Sequence, residues 1–470
     1  RLYVNSGDIS MNRLDDGFIY TGVVNSLQGQ KQYSEINTDS EGMIKVALSA
    51  DASYALVGAP SSNNSKGKIY FLKNNHDGTW THNHTEQGSS AGHTVGKAMA
   101  ITKDGEHAVY VRYTKTGYNL SNRTNIYFME RNTTDDTWST PYSFTNLDTD
   151  LAKFICIQKR DNGEVFAFYS TSSGAIEGYK KWLSTGSWSL RNTSYTGVTG
   201  NVVGSSSHED NCMKINDNCT RLIVCKKNGN YKIYDIGNDC ALTQIGQIEM
   251  SNMTTTPTSY SEFARHCGIS GDGTKIIVSA YERNISIDNN THRGIAQVFV
   301  YVGGANAFDA SNWSKYGPEL YGSTSVGSDF GSGIALNTDG TMVVGSCALN
   351  KYGVVYKYRK ITQDEWTNSD RLGNDITNTN PILLHPGASW DENTYYWYQY
   401  GPKLTNGDSH YGIDVAWANN HVIFAGKNGS TSQAAIWNID MLPTNVDLLG
   451  NYKVASNINN SGHAFADVSL

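Results

Sequence analysis

The chain has 470 residues, of which 17% are charged, with a net charge of −7 and a pI near 5.9. No run of Lys and Arg offers a cationic stripe to phosphates, so nucleic acid is not an expected partner, and no apolar run approaches the roughly eighteen residues of a membrane helix. Aromatics reach 11% with 29 Tyr, and 46 Gly stand against 8 Pro, a mix that favours strands and tight turns over salt-bridged surface helices.

The chain opens at Arg1, without Met or a signal peptide, so a removed leader or a longer parent chain is expected. Arg1–Val4 and Ser6–Met11 read as strands, followed by the turn Asp15-Asp16-Gly17 and Tyr20. A strand over Met43–Leu48 then meets the turn Ser49-Ala50-Asp51-Ala52-Ser53. Another strand covers Gly67–Leu72, and Asp77-Gly78-Thr79-Trp80 follows. This order recurs at intervals of roughly fifty to sixty residues. The second copy has the turn Lys103-Asp104-Gly105-Glu106, the strand Asn125–Met129 and Asp136-Thr137-Trp138. The third has Asp161-Asn162-Gly163-Glu164 and Gly186-Ser187-Trp188; the fourth has Asn216-Asp217-Asn218-Cys219 and the strand Tyr231–Tyr234. The fifth has Gly271-Asp272-Gly273-Thr274, Ala296–Tyr301 and Trp313–Leu320; the sixth has Thr338-Asp339-Gly340-Thr341, Gly353–Tyr358 and Asp364-Glu365-Trp366. A long insertion at 367–396 precedes Trp397–Leu404, and the turn Ala418-Asn419-Asn420-His421 marks a seventh copy. Asp-Gly and Asn-Gly supply the positive φ a two-residue hairpin needs.

Four antiparallel strands per repeat is the unit of a propeller blade. The expected fold is therefore an all-β closed β-propeller in one domain over 1–470, most plausibly with eight blades. Residues 1–30 and a strand at 460–470 would share one blade, which closes the ring and leaves no edge open. Seven blades with ragged ends is the alternative. Insertions such as 367–396 collect on one face of a repeat ring and either carry recognition or are neutral.

Residues 330–341, with Val343-Val344-Gly345-Ser346, Val57-Gly58-Ala59-Pro60 and Tyr411-Gly412, resemble FG-GAP propeller repeats, the class of the integrin α head. The segment Trp397–Leu404 and its twin at Trp313–Leu320 are similar to repeat arrays of protist, algal and large-virus surface proteins. The resemblance implies a propeller that recognises proteins or glycans, not an activity. Many such repeats carry a calcium loop of several carboxylates. Here each turn holds one or two acids, so no metal site and no cofactor is expected.

Thirteen Asn-x-Ser/Thr sequons stand at Asn63, Asn83, Asn119, Asn122, Asn132, Asn192, Asn218, Asn252, Asn284, Asn289, Asn312, Asn428 and Asn459. Composition alone predicts roughly eight. Together with the low charge they suggest an extracellular, cell-surface or virion-surface glycoprotein acting in adhesion or assembly, with a protein or glycan ligand at a loop face and contacts to copies or other surface proteins. The alternate residues Tyr396, Tyr398 and Tyr400 share one side of a strand and are candidate binding residues, although blade packing accounts for them equally. Five cysteines (156, 212, 225, 267 and 347) sit in or beside apolar strands; Cys219 and Cys240 lie near turns and could pair. No catalytic residue is assigned. The competing readings are a glycan-processing hydrolase, for which 15–20 and 76–80 faintly resemble Asp-box turns, and an intracellular scaffold. His266, like the other histidines, reads as a packed strand residue rather than a ligand.

Overall fold

The computed structural model describes residues 11–14, 17–20, 30–33, 38–39, 45–77, 79–116, 121–147, 155–170, 175–182, 185–195, 213–225, 230–253, 263–280, 294–303, 312–317, 319–321, 330–340, 342–347, 354–360, 397–399, 404–405, 414–418, 421–428 and 431–438. They form a β-propeller of antiparallel sheets with four or five strands each. Blade 1 spans 45–87, blade 2 99–147, blade 3 155–195, blade 4 213–248, blade 5 263–321 and blade 6 330–405. Blade 7 takes Asp414–Ala418, His421–Asn428 and Thr431–Asn438, and completes itself with Gln30–Tyr33 and Thr38–Asp39 from the other end of the chain. A separate hairpin pairs Met11–Leu14 with Gly17–Tyr20.

Seven such sheets are built by the described residues. Ile423 and Ile436 of blade 7 share a core with Val46, Val57 and Trp80 of blade 1, and the Val46 N–H donates to Asp414 Oδ2 at 3.0 Å. Gln30–Tyr33 and Thr38–Asp39 pair with Thr431–Asn438. The expected eighth blade, shared by 1–30 and 460–470, falls on 460–470, which lie outside the described residues, as does the insertion 367–396.

Each sheet is covered on both faces, so its central strands are apolar runs instead of alternating ones. Tyr54–Ala59 and Val165–Ser170 are buried at every position. The first two strands of blades 1 to 6 are joined by one kind of turn. Its fourth residue has positive φ in every copy: Ala52 (58°), Gly105 (66°), Gly163 (86°), Cys219 (53°), Gly273 (74°) and Gly340 (66°). The first residue latches it. The Ser270 hydroxyl donates to Asp272 at 2.6 Å and accepts the Lys275 N–H at 2.9 Å, while Asp272 accepts the Thr274 N–H at 2.9 Å. Ser49 with Asp51 and Thr102 with Asp104 repeat the arrangement.

The FG-GAP-like residues meet across blade interfaces. Gly58 of blade 1 lies so close to Gly96, at the entry to blade 2, that a Cβ on it would stand 2.1 Å from the Gly96 carbonyl oxygen. Between blades 5 and 6 the Ser279 hydroxyl donates to the Gly331 carbonyl at 2.9 Å.

The tryptophan that opens the outer part of blades 1, 2, 3 and 5 reaches back to the preceding one. Trp80 meets His421 edge-on at 5.8 Å, Trp138 lies 4.7 Å from Phe71, and Trp188 stacks on Phe128 at 3.9 Å. Trp313 covers Gly246 of blade 4. Blade 4 has no such Trp; Cys240 fills the position, with its Cβ over Gly178 of blade 3. A Cβ on Gly246 would stand 2.3 Å from Trp313 Nε1. Gly246→Ala is therefore expected to cost about 1–3 kcal/mol by overpacking, whereas Gly237→Ala, with nothing nearer than 3.5 Å, should stay within about 0.5 kcal/mol. Urea unfolding of the two variants checks this.

Candidate functional site

Because the six turns are alike and sit side by side, they form a belt around the central channel. Asp51 N–H donates to the Lys103 carbonyl at 3.4 Å, and Lys103 N–H to Gln158 Oε1 at 2.7 Å. Asn216 Nδ2 donates to the Gly271 carbonyl at 3.1 Å, and Gly271 N–H to the Thr338 carbonyl at 2.7 Å. The belt rings a cavity of about 80 Å³ to which all seven blades contribute. Ala50, Lys103, Asp217, Gly271 and Thr338 line it, each the second residue of its turn, and are joined by Gln158 and Trp417; Leu48, Ile101, Ile269 and Leu336 supply apolar wall.

Among the described residues Asp217 is the only acid lining this cavity. Its carboxyl is pushed above the usual range by burial and by the Asp272 carboxylate, against the pull of Lys103. Lys103 directs its ammonium to Asp161. Gln158 accepts the Lys159 N–H at 3.0 Å as well as that of Lys103. Sequence reasoning took Asp217 only as a turn marker; aligning the second turn positions exposes it as the one acid facing the channel.

Paired carboxylates across the channel, which a glycosidase needs, are not found among the described lining residues. Acids elsewhere are committed. Burial alone would raise the Asp272 and Asp104 carboxyls, but hydrogen bonds from Ser270 and Thr274, and from Thr102 and Lys159, hold them below the ordinary value. The Asp77 carboxyl in the second Asp-box-like segment accepts the Thr79 N–H at 2.9 Å and its hydroxyl at 2.5 Å, so it is a turn latch. Asp104, Glu106 and His107 bring possible ligand atoms within 4.8 Å of one another. However, the Lys159 ammonium occupies that cleft, 2.9 Å from Asp104 and bonded to Glu106. Burial and the Lys181 ammonium push the His107 imidazole down to about 4. The cluster is an ion-pair clasp between blades 2 and 3.

Of the sequons, Asn312 is corrected. It is 2% exposed and its Nδ2 donates to the Ile245 carbonyl at 2.9 Å, bridging blades 5 and 4, so it has no room for an oligosaccharide. Asn63, Asn132 and Asn218 are exposed, and Asn83 and Asn252 are half-buried. Asn119, Asn284, Asn289 and Asn459 lie outside the described residues, as do Tyr396 and Tyr400, while Tyr398 pairs in register with Arg359. Cys219 and Cys240, which could have paired, form no disulfide: both are buried thiols, each pushed up to about 12 by burial. Cys156, Cys225 and Cys267 are likewise buried and outside any disulfide. Both ring nitrogens of His266 are enclosed with the rest of a residue that is 1% exposed.

No family model matches the chain. No curated protein matches it either. Among solved structures it is similar to the β-propeller domain of Cps50 (Swd1) from Myceliophteria thermophila, at 9% identity and a TM-score of 0.47, covering 87% of this chain and 99% of that one. It is also similar to Chaetomium thermophilum Sqt1 bound to the N-terminus of a ribosomal protein, at 9% identity and a TM-score of 0.47, covering 88% of each chain. Saccharomyces cerevisiae Sqt1 gives 9% identity and a TM-score of 0.46, with 88% and 86% covered. The expected extracellular, cell-surface or particle-surface location is not supported by these neighbours.

A carboxyl whose pKa is higher in the folded than in the unfolded chain destabilises the fold once ionised. Asp217→Asn is therefore expected to raise Tm near pH 7, with the difference shrinking as pH falls through the raised value towards 3.8. Thermal unfolding of both chains across that range checks it.

Proposed function

We propose that the chain is a non-catalytic propeller scaffold that binds a protein partner over its turn belt, inside the cell. The observation that carries this is the belt itself. Turn residues of neighbouring blades hold one another by hydrogen bonds between 2.7 and 3.4 Å, so the face is a fixed platform around a narrow mouth. Such a rim loses little conformational entropy on association. Among the described residues a single acid lines the channel, which supports binding over hydrolysis, because glycoside cleavage needs two carboxylates. Five buried thiols without a bridge support a reducing compartment. The solved neighbour carrying the N-terminus of a ribosomal protein supports a protein ligand over a glycan. The contacts of Gly58 with Gly96 and of Ser279 with Gly331 support a repeat of the FG-GAP kind, in which the motif is a packing device between blades.

Thr338 is exposed on the belt and Thr81 on the outer strand of blade 1. A bulky cation at the first position should block the platform, so Thr338→Arg is expected to abolish partner binding and Thr81→Arg to leave it intact. Affinity purification of the full chain, with crosslinks mapped to the belt lysines, checks this. Equal partner recovery by both variants, or a glycoside turnover that disappears in Asp217→Asn, overturns the proposal.

A further inference from the structure

Asp217 is unusual in what it lacks. Among the described residues its carboxylate accepts no hydrogen bond and forms no ion pair, although it is half-buried and lines a cavity shared by seven blades. A partly desolvated carboxylate without a partner gains from a cation placed beside it. The nearest cation relieves it only from a distance, because the Lys103 ammonium is bonded to Asp161. The Asp272 carboxylate adds charge of the same sign, and it is held ionised by its own turn.

We propose that this mouth receives the ammonium group of a lysine side chain presented by the protein partner; the inference rests on the scaffold function proposed above. The cavity of about 80 Å³ is roughly the space of two or three waters, enough for a terminal ammonium and its last methylene, and the Asp217 carboxylate repels a phosphate there. Leu48, Ile101, Leu336 and Trp417 offer apolar and aromatic wall to the methylene stem, and Asp217 offers the counter-charge. A divalent metal fits the same place poorly, because calcium takes six to eight oxygens. Here the neighbouring acceptors are already engaged. Gln158 Oε1 takes two N–H groups, and the carbonyls of Lys103, Gly271 and Thr338 each take a donor from the preceding blade. One free carboxylate suits a compact ammonium, whose remaining donors stay with water at the opening, better than a planar guanidinium that seeks two parallel acceptors.

The test uses the full chain and Nα-acetyl-lysine methylamide as probe, followed by calorimetry and by the shift in Tm. The norleucine and arginine analogues and calcium chloride serve as competitors. The lysine probe is expected to bind and the neutral norleucine analogue to fail. Asp217→Asn should weaken lysine binding by roughly tenfold or more, the worth of one charge-assisted contact, while itself folding at least as well as the parent. Lys103→Gln, which removes the nearest competing cation, should strengthen binding. Equal binding by the parent and Asp217→Asn, tighter binding of the arginine or norleucine analogue, or displacement of lysine by calcium overturns the inference. If Asp217→Asn fails to bind the probe and still captures the partner, the lysine is not part of that complex and the scaffold proposal stands alone. If no partner is captured while the probe binds Asp217, the scaffold proposal fails and the cation site survives.

Discussion

A sheet with two apolar faces has to be covered twice, and every other feature of this chain follows from that requirement. Tyr54–Ala59 and Val165–Ser170 are buried along their whole length, so neither blade could stand alone in water. Stacking blades satisfies one face of each end sheet at most. Packing the last on the first satisfies both, and the shared core of Val46, Val57 and Trp80 with Ile423 and Ile436 is where this happens. The strand swap at the same place, with Gln30–Tyr33 completing 431–438, ties the two ends of the chain to one sheet.

Covering faces sets the second constraint, which is spacing. Adjacent blades splay outward from the channel, so they touch closely near the axis and need filling further out. Near the axis the contact is backbone against backbone, as where Gly58 meets Gly96. Further out the wedge is a tryptophan, and it is matched by what lies beneath it. Trp313 rests on Gly246, whereas Trp188 stacks on Phe128. In blade 4 the smaller Cys240 serves, and Gly178 and Phe168 close around it. The pair is complementary, so a wedge can shrink in evolution only where its bed rises.

These physical distinctions explain what the sequence made legible. The turns were readable because positive φ and a latching Asp demand particular residues, and Asp104-Gly105, Asp272-Gly273 and Asp339-Gly340 announce them. The Trp positions were readable as marks, though not as wedges. The closing blade was not readable. Residues 1–30 and 460–470 carry strand-like patterns, but periodicity reports that a strand exists and says nothing of its neighbour. Pairing of 30–39 with 431–438 is decided by long-range packing. Cys240 was read as a disulfide candidate because spacing cannot distinguish a thiol at a turn from a thiol under one. Asn312 shows the same limit for sequons, since its amide is consumed by the Ile245 carbonyl of another blade.

The channel acid was hidden for a different reason. In a turn such as Asn216-Asp217-Asn218-Cys219, an acid looks like ordinary turn chemistry. Here the latching is done by Asn216, whose Oδ1 accepts the Thr220 and Arg221 N–H groups at 2.9 and 2.7 Å. That substitution of Asn for Ser or Thr at the first turn position frees the carboxyl that follows from any local duty. In blades 1, 2 and 5 the acid sits third and is spent on the turn; in blade 4 it sits second and faces the channel. A one-residue shift therefore converts a structural carboxylate into an unpaired one at the point where all seven blades converge. Blade 3 also sets its acid second, but there Asp161 pairs with Lys103, so among the six described turns it is the departure in blade 4 that leaves a carboxyl without a partner.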